Sequence, residues 1–187
     1  MTHLSKEEYL TAENMDQYFS ALAMKIKAAG IGEHSILVVG GAAMALKYRD
    51  CRSTVDIDIC YQEQNHLYQC CLEVAREYGL PEDWLNADVM HSDSFSYSLF
   101  ENAVLYNEYA SVLKVYTAND LDLYCMKIVS FRPKDIQDLE VLANALNEAN
   151  YGINDVRINF VRLYGSSFYL DNDERKLRLV SHQLNQK

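Results

Sequence analysis

Ser35-Ile36-Leu37-Val38-Val39-Gly40-Gly41-Ala42-Ala43-Met44-Ala45-Leu46 is the stretch on which the reading of the fold turns. Ser35 to Val39 is a short, apolar, β-leaning run that breaks at a glycine pair and gives way to a good helix former. The pattern predicts a strand, a tight turn and a helix. Downstream, Val55-Asp56-Ile57-Asp58-Ile59 alternates apolar and acidic residues, the period-2 mark of a strand with one buried face. Residues two apart on a strand point to the same side about 6.6 Å apart. Asp56 and Asp58 are therefore expected to project together while Val55, Ile57 and Ile59 bury.

Around these two runs the periodicity is mostly helical. Met15, Tyr18, Phe19, Leu22 and Ile26 recur at helical spacing before a capping glycine, Gly30. Gln64 to Tyr78 reads as a helix. From Trp84 to Tyr116 the short apolar runs Phe95 to Phe100, Ala103 to Tyr106 and Ser111 to Tyr116 read as strands joined by turns. Asp120 to Phe131 and Asp135 to Leu146 are helical by periodicity, split at Arg132-Pro133, because the residue before proline is pushed out of the α region. Two further helical faces follow, Val156, Phe160, Leu163 and then Leu177, Val180, Leu184, with Gly165 and Asn172 between them. The expected class is α+β, a mixed sheet flanked by helices with a helical C-terminal part. The expected division is an α/β core over 1–118 and a helical part over 119–187 packed on it, or one domain built from both.

The chain has 187 residues, enough for one full-sized core. Its five cysteines are odd in number and form no CxxC pair, which fits reduced thiols and a cytoplasmic setting. No apolar run approaches the roughly 18 residues of a membrane span, so neither insertion nor export is expected. A net charge of −10 weighs against a broad groove tracking nucleic acid, yet leaves room for a local basic cluster that holds a triphosphate or an RNA end. The five histidines match no common zinc spacing, and the 14 tyrosines are dispersed, so both read as structural.

Two hard carboxylates on a rigid element suit Mg²⁺ or Mn²⁺, which take their remaining ligands from water and substrate phosphates. Taken alone, Asp56 and Asp58 read first as the wet acidic face of a half-buried strand. Gly40-Gly41 adds a turn whose bare backbone N–H groups and helix start suit phosphate; taken alone, it is a tight turn with positive φ. Lys127 is a point charge suited to a phosphate, and Arg132 and Lys134 crowd the following corner. Asp135 and Asp138 resemble a helix-start capping pattern, with a salt bridge from Asp138 to Lys127 as the other reading.

Gly40-Gly41, followed by Arg52-Ser53-Thr54-Val55-Asp56-Ile57-Asp58 with fourteen residues between Gly41 and Asp56, resembles the glycine-pair and DxD signature of the DNA polymerase β-type nucleotidyltransferase superfamily. The arginine-x-threonine form, Trp84-Leu85-Asn86, and Lys127 followed by Arg132-Pro133-Lys134-Asp135-Ile136-Gln137-Asp138 resemble the minimal AbiEii-type and MenT-type toxin nucleotidyltransferases. The likeness covers roughly residues 35 to 145. It implies a nucleotidyltransferase-like fold and transfer of a nucleoside monophosphate from an NTP to an acceptor. It implies that Asp56 and Asp58 hold the metal and act in catalysis with Lys127 and Asp138. Gly40, Gly41, Arg52, Thr54, Lys127, Arg132 and Lys134 would bind the nucleotide. The implied acceptor is a tRNA end or another RNA, and the implied partner a cognate antitoxin protein.

The superfamily's third carboxylate has no clear counterpart; Asp88, Asp93 and Glu108 are the candidates. Two other functions fit the same residues. One is an aminoglycoside-type nucleotidyltransferase, since an acidic surface attracts cationic drugs. The other is a nucleotidyltransferase-like binding module without catalysis.

Overall fold

A computed structural model describes residues 10–48, 53–62 and 66–184. Its elements are α1 (Ala12–Ala29), β1 (His34–Val38), α2 (Gly40–Lys47), β2 (Ile57–Cys60), α3 (Tyr68–Tyr78), β3 (Leu85–Asn86), β4 (Val104–Tyr109), β5 (Leu113–Thr117), α4 (Asp120–Ser130), α5 (Asp135–Glu148), α6 (Ile153–Tyr164), α7 (Phe168–Asp171) and α8 (Glu174–Gln183). The α+β class with a mixed sheet and a helical C-terminal part is what the sequence predicts. The chain divides into two compact units, Met1–Val89 with Val104–Thr117, and Met90–Ala103 with Ala118–Lys187.

The first unit holds a five-stranded sheet in the order β3-β2-β1-β5-β4. β1 is central, parallel to β5 and antiparallel to β2; β2 runs parallel to β3, and β4 pairs antiparallel with β5. Ile36, Leu37 and Val38 are buried, as befits a strand in the middle of a covered sheet. Met15, Phe19, Leu22 and Ile26 of α1 are fully buried at the predicted spacing, and α1 ends where Gly30 turns left-handed at φ +65°. Trp84 is buried beside Tyr18 and donates its indole N–H to the Cys71 carbonyl at 3.1 Å. This satisfies the ring's polar atom inside the core.

The second unit is helical. Leu123, Ile128, Leu139, Leu142, Val156 and Phe160 supply its apolar interior. Phe95 to Phe100, expected as a strand, instead feeds a 3₁₀ turn over Tyr97–Asn102. Ser96 is the reason: its Oγ accepts the Ser98 N–H at 3.3 Å and donates to the Leu163 carbonyl, offering the backbone a local alternative to a ladder. Arg162 and Tyr164 bind the Ser98 and Ser94 carbonyls at 2.7 and 2.9 Å, so α6 fastens this segment through its side chains. Strands β4 and β5 lie where the other two aromatic runs predict them, ending three residues and one residue later respectively.

Candidate active site

β1 delivers the chain to the glycine pair, and the backbone there is bent into a conformation other residues resist. Gly40 has φ +64°, the left-handed region in which a Cβ is strained. A Cβ at Gly40 would also stand 3.0 Å from Asp58 Oδ2, and one at Gly41 would stand 3.1 Å from Thr54 Oγ1. Both glycines thus let the backbone come close to Asp58 and Thr54. The Val39 N–H donates to the Asp58 carbonyl at 3.0 Å, tying the end of β1 to the strand that carries Asp58. Helix α2 starts at Gly40, two residues before the alanine-rich run. The first N–H groups of any helix lack acceptors inside it, and they carry the positive end of the dipole.

Thr54 is held from a second direction. It exchanges both backbone hydrogen bonds with Leu10, at 2.7 and 3.0 Å, forming an isolated antiparallel bridge. Its hydroxyl donates to Asp56 Oδ1 at 3.4 Å. Leu10 carries no sequence signal for this duty, which its backbone performs. The structure therefore brings Gly40, Gly41, Thr54, Asp56 and Asp58 together. Arg52 lies outside the described residues.

One expectation about this run needs correction. Val55 is 52% exposed, and β2 begins only at Ile57. The ladder explains it: Thr54 pairs with Leu10, and pairing resumes when the Ile57 N–H reaches the Trp84 carbonyl at 2.8 Å, so Val55 and Asp56 form a bend between two partners. Ile57 and Ile59 are buried as predicted, and Asp58 stands half-buried on the strand. Asp56 lies in that bend, where its Oδ1 accepts the Thr54 hydroxyl, and strand alternation does not place it.

β3 sets Asn86 in register beside Asp58. Its amide donates to the Asp83 carbonyl at 3.3 Å and accepts the Asp88 N–H at 3.1 Å. Of the candidate third acids, Glu108 is on edge strand β4, three strands from β2, about 14 Å by strand spacing. Asp88 opens the 3₁₀ turn after β3, and Asp93 belongs to the second unit. Among the described residues no group of three or more His, Cys, Asp or Glu side chains gathers as a metal site. Two carboxylates and a threonine hydroxyl beside bare backbone nevertheless fit a cation that draws its other ligands from water and phosphate. Burial first, and the Asp58 charge second, push the Cys60 thiol up to about 12, so it behaves as a buried inert thiol.

In the second unit, Lys127 on α4 is buried, and its Nζ binds Asp135 Oδ1 at 3.0 Å and Asp138 Oδ2 at 2.7 Å. Asp135 is fully buried and accepts further bonds from Ser130 Oγ at 2.8 Å and from the Arg132 backbone N–H and Nε, both at 2.9 Å. Burial alone would raise its carboxyl. The Arg132 hydrogen bonds and the Lys127 charge outweigh that and hold it well below the usual carboxylate range. The corner itself is shaped by Phe131, left-handed at φ +43°, and by Pro133, after which exposed Lys134 caps α5. The salt-bridge reading of Asp138 is thus present in the structure, and Asp135 serves as the hub of its corner.

Among the described residues no helix is long and apolar enough to cross a membrane. Comparisons with curated proteins and with solved structures give no match. A family model matches residues 19–174, spanning both the glycine turn with its acidic run and the Lys127 corner. The chain belongs to that family, described as nucleotidyltransferase of unknown function (DUF6036).

Proposed function

We propose that this chain transfers a nucleoside monophosphate from an NTP to an acceptor, with Mg²⁺ or Mn²⁺ held by Asp56 and Asp58. Membership of a nucleotidyltransferase family supports a nucleotide substrate. The observation that carries the reading is the closeness of the glycine turn to the acid: a Cβ at Gly40 would stand 3.0 Å from Asp58 Oδ2. Phosphate and metal chemistry need that juxtaposition, whereas a tight turn alone does not.

Asp56 and Asp58 would hold the divalent cation, whose chemistry would be to neutralise triphosphate charge. The chain's own residues do the positioning. The N–H groups at the start of α2 point donors at phosphate oxygens without interference from side chains. Thr54 orients the Asp56 carboxylate through its hydroxyl. Within the second unit, Asp135 and Asp138 hold the Lys127 ammonium in one position. Asp138 then acts by aiming that ammonium. A nucleotide-binding role for Arg52, Lys127, Arg132 and Lys134 is supported by the family likeness alone. The acceptor is an RNA end, a tRNA in the first instance, and the cellular role that of a toxin restrained by an antitoxin protein; the likeness to AbiEii-type and MenT-type enzymes supports both.

Incubation of the protein with each α-labelled NTP, Mg²⁺ and total tRNA, beside an aminoglycoside panel, tests the proposal. Label on tRNA that disappears in the Asp56→Asn, Asp58→Asn double variant is the expected result. Label on a drug would replace the RNA acceptor with a small molecule. Transfer unaffected by the double variant would remove these two acids from the chemistry.

A further inference from the structure

Asp56 and Asp58 are held by different means. Asp58 lies inside β2, where the Val39 N–H ties its carbonyl to β1 at 3.0 Å and Asn86 is its register partner on β3. Asp56 lies outside the strand, in the two-residue bend it forms with Val55. A bend this short takes its shape from the residues at its two ends. At one end the Ile57 N–H donates to the Trp84 carbonyl at 2.8 Å. At the other, the Leu10 N–H donates to the Thr54 carbonyl at 2.7 Å, and the Thr54 N–H returns the bond to the Leu10 carbonyl at 3.0 Å. An exchanged pair of this kind fixes both the position and the direction of the chain. Leu10 is itself fixed. Its side chain is 1% exposed, and the next residue is the N-cap of α1, where the Thr11 N–H donates to Asn14 Oδ1 at 2.7 Å.

We infer that Leu10 is a positioning residue for the metal-binding pair, setting Thr54 through its backbone and Asp56 through Thr54. The inference rests on the nucleotidyl-transfer reading and adds to it a residue from outside the glycine turn and the acidic run. Thr54 has little latitude. Its hydroxyl reaches Asp56 Oδ1 at 3.4 Å, near the outer limit of a hydrogen bond, so a small retreat breaks the contact. On its other side the same oxygen would stand 3.1 Å from a Cβ at Gly41, which seats Thr54 between the glycine turn and the acid. Residues that orient metal ligands without touching the ion typically set its affinity by about 10–100-fold. Asp58 takes its place from the sheet. Loosening the Leu10 bridge is therefore equivalent, for a cation, to losing the Asp56 carboxylate alone.

The test is Mn²⁺ binding to the full chain, followed by electron paramagnetic resonance in the presence of each common NTP as its non-hydrolysable analogue, which needs no turnover. Leu10→Pro removes the N–H donor and keeps the carbonyl, and it should weaken Mn²⁺ binding about tenfold. Leu10→Met keeps both backbone bonds and nearly the same volume, and it should show wild-type affinity. In an Asp56→Asn background, Leu10→Pro should change the affinity by less than about twofold, because the residue it acts through is already lost. Wild-type protein gives a second readout free of substitution. Coupling is reciprocal: a bridge that favours binding is favoured by it, so amide exchange at Leu10 and Thr54 should slow when Mn²⁺ and the analogue are added. Where circular dichroism shows Leu10→Pro unfolded, this exchange measurement decides. Unchanged Mn²⁺ affinity in folded Leu10→Pro overturns the inference. So does an equal loss in the Asp56→Asn background, which marks a general loosening of the fold, or exchange at both amides that ignores the ligands. Wild type that binds no Mn²⁺ with any analogue removes the nucleotidyl-transfer reading and the inference with it. Binding that is lost in Asp56→Asn, Asp58→Asn but untouched by Leu10→Pro overturns the inference alone.

Discussion

Asp56 and Asp58 stand half-buried beside a backbone stripped of side chains, whereas Asp135 and Asp138 are buried among the side chains of Lys127, Ser130 and Arg132. Both regions are carboxylate pairs with short sequence spacing, and in one dimension they look alike. In space, the first is closely approached by glycine backbone, and the second is filled with side-chain donors. Backbone that closely approaches a carboxylate suits a phosphate and its cation. A carboxylate already saturated with donors chiefly supports the fold, so the two pairs should answer mutation differently.

The largest separation is expected in activity. Asp56→Asn with Asp58→Asn should lower nucleotidyl transfer by on the order of 10³-fold, the scale of losing aligned electrostatic stabilisation, while the urea midpoint moves little. Asp135→Ala should do the reverse first: removing one partner of a buried ion cluster costs about 3–5 kcal/mol, read from urea unfolding. If Asp135→Ala unfolds no more easily than wild type, the contrast between the regions fails.

Acidification sharpens the same contrast. Asp135 titrates below its unfolded value, so its contribution is complete above the unfolded carboxylate range near pH 4 and drains away as pH falls towards the folded value. Urea midpoints measured from pH 7 downwards should drop below about pH 4, and the drop should be shallower in Asp135→Asn. Asp122, equally buried, behaves in the opposite way. Burial outweighs its bonds to Asn159 and Arg162 and raises its carboxyl, so its ionisation costs stability as pH rises through that raised value.

The smallest effect compares two glycines. Gly30→Ala and Gly40→Ala each put a Cβ at φ near +65°, costing about 1–2 kcal/mol. At Gly30 nothing lies within 4 Å, whereas at Gly40 the new atom meets Asp58. Only Gly40→Ala should therefore also weaken NTP binding, measured by calorimetry.

Much of this was legible in residue order. The helical spacing from Met15 to Ile26 and the β1-to-α2 transition follow from local periodicity, because each element buries its own apolar stripe. Two things were not. Alternation in Val55 to Ile59 suggested a full strand, but a strand needs a neighbour along its length, and Thr54 takes its neighbour from Leu10. The aromatic run at Phe95 to Phe100 has strand composition, yet Ser96 diverts the backbone and α6, some sixty residues away, provides the anchor points. Such long-range partners leave no mark on local patterns. The convergence of Gly40 with Asp58 is likewise a product of β1 pairing with β2.

The chain enters the second unit at Met90, leaves at Ala103 and returns to finish the first with β4 and β5. During synthesis, then, β1 waits for its parallel neighbour until Thr117 has been made, while the 90–103 segment waits longer still for α6. A gene fragment ending near residue 118 would carry every strand of the sheet and also a fourteen-residue excursion deprived of the helix that binds it. Splitting the protein into halves for complementation should therefore succeed only when the second half is supplied while the first is still folding.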